Sequence, residues 1–332
     1  MTQLVIYAPQ LTREHTDAPA LAPWLRYADR LPAKAPQGLA RSAYWLHQTP
    51  PVPWAAITAA EDLQDFDPER FYLRMDPVHL HPDRDTLVLF RAEAVGMTEA
   101  EARELFDAFN AHFAEEGVQL QWGAEDRWYV SLPQAIDLRT VPLPDAEHAN
   151  LHAVPMQGEA TSHWNRLLTE AQMLFYQHPL NERRRAQNLP EINSLWPWGE
   201  GVYSQWHRIP RNGAAVYSPF ADIEALARQV GASVLAQPCV ENLGVASSGN
   251  ILLDWQAQPL DWVLTQLEAV SQQLKQRRLS GCVLDVGGES VLSLKPAMLR
   301  RFWRCWGAPR YRNILNSQEA VDLERLAESP GD

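Results

Sequence analysis

Short apolar runs alternate with amphipathic helical stretches through the second half of the chain, and this alternation limits the fold more than any other feature. Ile251 to Trp255 reads as a strand, Pro259 to Lys275 as a long amphipathic helix, and Val283 to Val286 as another strand. Leu260, Val263, Leu264, Leu267, Val270 and Leu274 fall on one side of that helix, the spacing of a face turned to a core. Strands at Ala214 to Tyr217 and Ser233 to Leu235 flank a helix from Ala221 to Val230. Gly287-Gly288 marks a hairpin into a strand at Val291 to Leu294, and a helix from Pro296 to Trp306 closes the pattern. Such alternation predicts an α/β fold, a mixed central sheet flanked by helices.

The first half is organised differently. Leu4 to Ala8 is a short buried strand, and the Pro-rich stretch from Pro9 to Pro53 predicts short helices joined by loops. Strands are expected at Arg70 to Leu80, Asp85 to Phe90, Val118 to Trp122 and Arg127 to Leu132. His81-Pro82-Asp83 supplies the first turn. Between the pairs lies a helix from Thr98 to Glu116, with Thr98 and Glu101 spaced as a capping box and Gly117 at its end. This ββαββ order predicts a smaller α+β unit over 70–132. Pro142 to Pro155 has the composition of a linker, which divides the chain into 1–145 and 146–332.

Composition narrows the function. The 332 residues carry a formal charge of −12, which argues against nonspecific nucleic-acid binding. Arg183-Arg184-Arg185 and the tail bearing Arg300, Arg301, Arg304, Arg310 and Arg312 are local basic stretches. Three scattered cysteines, Cys239, Cys282 and Cys305, fit neither a disulfide framework nor a zinc ribbon, and imply a reducing compartment. No run approaches the ~20 apolar residues that span a bilayer, and the N-terminus lacks the pattern of a signal peptide. A cytoplasmic location is expected, with no membrane partner.

The segment His178 to Gly201, HPLNERRRAQNLPEINSLWPWGEG, concentrates the candidate chemistry. Arg184 offers a planar fork for phosphate or carboxylate, Asn181 and Asn193 add neutral donors, and Gly199 and Gly201 allow close backbone approach. These five residues are the candidate site for an anionic small molecule. The competing reading is a brace between helix and strand. A second cluster, Asp76, His79 and His81 with Asp83 and Asp85 beyond, places two imidazoles on one strand face, a weak candidate for a metal. No catalytic residue, nucleophile elbow, P-loop or dinucleotide fingerprint is found.

The same segment resembles archaeal-type cofactor-independent phosphoglycerate mutases, in which HP-x-N-x-x-R is followed by Pro-x-x-Asn and a strand into Gly-x-Gly. Asn181, Arg184, Pro190, Asn193, Gly199 and Gly201 match in order. Asp76 to Leu80 and Leu284 to Trp303 resemble a bacterial subgroup labelled phosphoglycerate-mutase-like. The resemblance implies an alkaline-phosphatase-like fold and, in active members, two divalent metals with a Ser or Thr nucleophile. Here the first strand runs into Pro9-Gln10 with no Asp-Gly, and the C-terminal region reads Asp285-Val286-Gly287-Gly288-Glu289-Ser290 with no histidine after His207. The expectation is therefore a degenerate, non-catalytic binding or regulatory protein that needs no cofactor. One alternative is an active metal-dependent mutase or phosphatase with relocated ligands, for which Asp76, His79, His81, Asp285 and Glu289 come first. The other is an interaction partner of a basic or nucleic-acid-processing protein.

Overall fold

The computed structural model describes residues 4–32, 38–83, 86–147, 155–240 and 250–300. The arginines of the tail beyond Arg300, Cys305, Asp85, most of the expected closing helix and the middle of the expected linker lie outside them. Strands run at Leu4–Tyr7 (β1), Asp29–Pro32 (β2), Phe71–Asp83 (β3), Thr86–Arg91 (β4), Leu120–Ala124 (β5), Arg127–Leu132 (β6), Ser194–Val202 (β7), Ala215–Tyr217 (β8), Ser233–Val234 (β9), Ile251–Asp254 (β10), Cys282–Asp285 (β11) and Ser290–Leu294 (β12). The chain divides into two compact units, one of Met1–Gln37, Tyr44–His47 and Ile209–Asp332, the other of Gly38–Ala43 and Gln48–Arg208.

The first unit holds a seven-stranded mixed sheet in the order β2-β12-β11-β1-β10-β8-β9. β1 is central and parallel to β10 and β11, while β12 and β2 run antiparallel at one edge. β1 reads LVIY with every residue buried, the continuous apolar run of a parallel strand covered on both faces. Leu4, Ile6, Ile251, Leu253, Cys282 and Leu284 form one face. They pack with Val263, Leu267, Val270 and Leu274 of the helix Leu260–Lys275, as its spacing predicts. Alternation turns Val5, Tyr7, Leu252, Asp254 and Asp285 to the other face. β2 lies where only loops and short helices are expected.

The second unit is the expected ββαββ arrangement extended by elements from later in the chain. β4 and β6 pair with one edge of β3, and β7 pairs with the other. The division expected at 145/146 falls inside this unit, because β7 comes from beyond it. Phe71, Leu73 and Met75 pack with Leu105 and Phe109 of the helix Glu99–His112 and with Trp164, Leu167 and Phe175 of the helix Thr161–Gln177. Tyr72 and Tyr129, on the opposite face, meet Ala55, Ala56 and Ala59 of the helix Trp54–Asp62. The Thr98 capping box forms as expected: its hydroxyl accepts from the Glu101 N–H and the Glu101 carboxylate accepts from the Thr98 N–H.

Two local expectations are corrected. Pro82 does not end its strand: β3 continues to Asp83, with Pro82 opposite Leu87 of β4. β7 pairs with β3 only as far as Val78, so that far edge carries no ladder that a missing proline N–H would break. Gly199 and Gly201 lie within β7 and do not form a loop.

Candidate functional site

Asn181 and Arg184 of the 178–201 segment point inward, while Glu182, Arg183 and Arg185 beside them are exposed. Asn181 is fully buried: its amide donates to the carbonyls of Phe175 and Ile192 and its oxygen accepts from the Ile192 N–H. Arg184 is only 1% exposed. Its guanidinium donates to both Glu101 oxygens at 2.9 Å, to the Pro190 carbonyl at 2.7 Å and to the Val95 carbonyl at 2.6 Å. Burial pushes the Glu101 carboxyl up, but the Thr98 N–H and Arg184 outweigh it and hold the group below its ordinary range. Asn193 donates to the Leu80 carbonyl and accepts from the Leu80 N–H, continuing the ladder one step beyond the last β7–β3 pair.

The glycines serve packing. A Cβ on Gly199 would stand 2.9 Å from the Ala55 backbone nitrogen, and one on Gly201 would stand 2.5 Å from the Pro53 Cβ. The helix Trp54–Asp62 and the residue before it fill the space that the sequence reading reserves for a ligand. Asn181, Arg184 and Asn193 therefore serve as a brace at the start of β7, whereas Gly199 and Gly201, farther along the strand, pack against a different element and do not join them.

Asp76 separates from the two histidines. Strand alternation turns it with Arg74 to the opposite face, where the pair forms a bidentate bridge at 2.6 and 2.7 Å, both residues buried. The Trp198 indole N–H adds a third bond to Asp76 at 2.7 Å, and the Arg74 guanidinium lies 4.8 Å from the Trp198 ring centroid. His79 and His81 share the other face, with ring centroids 5.8 Å apart.

An arrangement the sequence reading missed stands at the carboxyl ends of the parallel strands in the first unit, where ligands of open α/β sheets bind. Tyr7 of β1 is in register with Asp254 on one side and Asp285 on the other. Two strand spacings put the aspartate backbones about 10 Å apart, with side chains on one face. Both are fully buried. Asp254 accepts from the Ser218 hydroxyl and the Gln256 side-chain amide, each at 2.9 Å, and from the Gln256 N–H. With no cation among these partners, burial raises its carboxyl to about 6. Asp285 accepts from the Trp45 indole at 2.7 Å and from the Gly287 N–H at 2.9 Å. Glu289 is exposed in the turn between β11 and β12. The signal was present in sequence: the apolar runs ILLD and VLD each end in an aspartate.

The chain resembles a bacterial phosphoglycerate mutase-like protein. It is 25% identical over 180 residues to a protein of Geobacter sulfurreducens named a probable 2,3-bisphosphoglycerate-independent phosphoglycerate mutase. The match takes in 54% of this chain and 42% of that relative, so the chain aligns with less than half of the relative's length. No protein-family model matches. Among solved structures, the PH0037 protein of Pyrococcus horikoshii aligns over 89% of this chain and 87% of its own at 15% identity and a TM-score of 0.46. The cofactor-independent phosphoglycerate mutase of Thermoplasma acidophilum aligns over 89% and 90% at 14% identity and a TM-score of 0.42.

The residues at the carboxyl edge do not fit the pair of divalent metals that the resemblance implies. A two-metal centre draws many oxygen and imidazole ligands from several loops. Here Asp254 accepts from a hydroxyl and the Gln256 amides, bonds to an indole and a peptide N–H already engage Asp285, and a tyrosine stands between the two in register. Among the described residues no three His, Cys, Asp or Glu side chains gather in a metal-binding group. No helix among the described residues is long and apolar enough to cross a membrane.

Proposed function

We propose that this is a phosphoglycerate mutase-like protein that does not catalyse phosphotransfer and acts as a binding or regulatory protein. One observation carries the reading. The two aspartates at the carboxyl edge of the central sheet are held by an indole, a hydroxyl, a side-chain amide and peptide N–H groups. A metal entering there would have to displace those bonds within a buried setting. The binding role belongs to a protein partner more than to an anionic small molecule, because Asn181, Arg184 and Asn193 are engaged within the chain. Met173 and Tyr176, 60% and 64% exposed on the helix Thr161–Gln177, support it as apolar contact surface. We place this role in the cytoplasm, in keeping with three scattered cysteines that fit no disulfide framework.

The test combines elemental mass spectrometry with activity. The full chain is incubated with Mn²⁺ and Zn²⁺, desalted, and assayed for mutase activity on phosphoglycerate and for phosphatase activity. The expected result is no pair of tightly held ions and no turnover above the buffer rate. Two retained ions per chain accompanied by turnover would overturn the proposal.

A further inference from the structure

We propose that His79 and His81 form a two-histidine chelate for a borderline divalent cation of the Zn²⁺, Ni²⁺ and Cu²⁺ class. The site lies in the second unit, on β3, and is independent of Asp254 and Asp285 in the first.

The strand sets the geometry. Residues two apart on a strand project from the same face. Here the backbone is pinned from both edges: β4 pairs His79 with Phe90 and His81 with Val88, while the Asn193 side chain bonds both the N–H and the carbonyl of the intervening Leu80. The imidazoles are therefore presented by a fixed stretch of chain.

The first ring is oriented and its tautomer assigned. His79 Nδ1 lies 2.7 Å from the Glu191 carbonyl oxygen, which can only accept, so Nδ1 carries the proton. Nε2 is left with its lone pair. Metal-ligating histidines have this arrangement, one nitrogen donating to a carbonyl or carboxylate while the other binds.

The second ring is exposed, with no hydrogen bond to either nitrogen among the described residues. Imidazoles sharing a tetrahedral cation at metal–nitrogen distances of about 2.0–2.1 Å have ring centres about 5 Å apart. The observed centroids stand 5.8 Å apart with the planes inclined at 38°. A change of about 15° in the His81 χ1, within its staggered well, closes the difference, and χ2, a broad torsion, turns a ring nitrogen toward the ion. Two imidazoles favour Zn²⁺, Ni²⁺ and Cu²⁺ over Mg²⁺ and Ca²⁺. Water completes the coordination.

The experiment is calorimetric titration of the untagged full chain with Ni²⁺ and Zn²⁺ after stripping with chelator. One ion per chain is expected, undisturbed by millimolar Mg²⁺. His79→Gln and His81→Gln should each weaken binding by at least about tenfold, the least that disturbing even an outer-shell partner of a metal typically does. His163→Gln, at an exposed histidine on a separate helix, should leave it unchanged. Near-UV circular dichroism checks that each variant is folded. Binding that survives either His79→Gln or His81→Gln, or a wild-type chain that takes no ion at submillimolar concentration, would overturn the chelate. A pair of ions retained by the double variant would instead locate metal at another centre and count against the proposed function.

Discussion

Replacing Arg184 by methionine is expected to destabilise the second unit by about 3 kcal/mol, the low end of the cost of removing one partner from a buried ion pair, because Glu101 is half-buried. The side chain is 1% exposed and its three guanidinium nitrogens reach Glu101, Pro190 and Val95. Methionine approximates its volume and leaves two carbonyls and a carboxylate without their donor. The Glu101 carboxylate then keeps only its Thr98 bonds. Arg184→Lys should recover little, because a point charge cannot reach three acceptors in the plane of a guanidinium. Adding Glu101→Leu to Arg184→Met should return part of the loss, since the stranded charge is then gone. Urea unfolding followed by tryptophan fluorescence reads all three variants. An Arg184→Met protein as stable as the wild type, yet impaired in taking up phosphate or a carboxylate, would sink the brace and restore the ligand site.

The second large effect is a pH dependence located at Asp254. Its folded pKa is about 6 and its unfolded value close to 3.9. The folded state therefore holds a proton that the unfolded state releases between those values. Stability contributed by this group is fully present below pH 4 and is lost as pH rises through 6. Two pKa units correspond to about 3 kcal/mol. Asp254→Asn removes the titration. Relative to that variant, the wild-type protein should lose about 3 kcal/mol between pH 4 and pH 7.5. Unfolding curves for both proteins across that range measure the difference. A gap that stays constant with pH would show that Asp254 keeps an ordinary pKa, and that the carboxyl edge is wetter or more cationic than its Ser218 and Gln256 partners make it.

Much of the fold was legible because its elements obey simple periods. The 260–275 helix, the Thr98 capping box and the short buried runs each follow one rule read over a few residues. β2 was not legible: Asp29 to Pro32 is polar and proline-ended, and it is a strand only because β12 offers an open edge. The candidate site misled for a different reason. Asn, Arg and Gly at a helix-to-strand junction are the residue types that cradle an anion and also those that tie a junction together. Only the position of Glu101, brought in by the capped helix, and of the helix Trp54–Asp62 decides between them. Asp76 and His79 were grouped by nearness in sequence, whereas the strand places them on opposite faces. The carboxyl edge was half legible: Asp285 stood among the metal candidates, but Trp45, Ser218 and Asp254 join that edge only when the sheet assembles.

The insertion of one unit within the other has a consequence for how the protein is made. β1 leaves the ribosome long before Ile251 and Cys282, with which Leu4 pairs. A nascent chain therefore carries an unpaired, wholly apolar LVIY segment throughout synthesis of the second unit. Unpaired apolar strands invite association with other chains until they are covered. The strands of the second unit, by contrast, span only 71–202 and can pair while the rest is still being made. In pulse-labelled refolding, amides of β3, β6 and β7 should gain protection before those of β1, β10 and β11. Closure of the first sheet then sets how long this apolar strand stays uncovered.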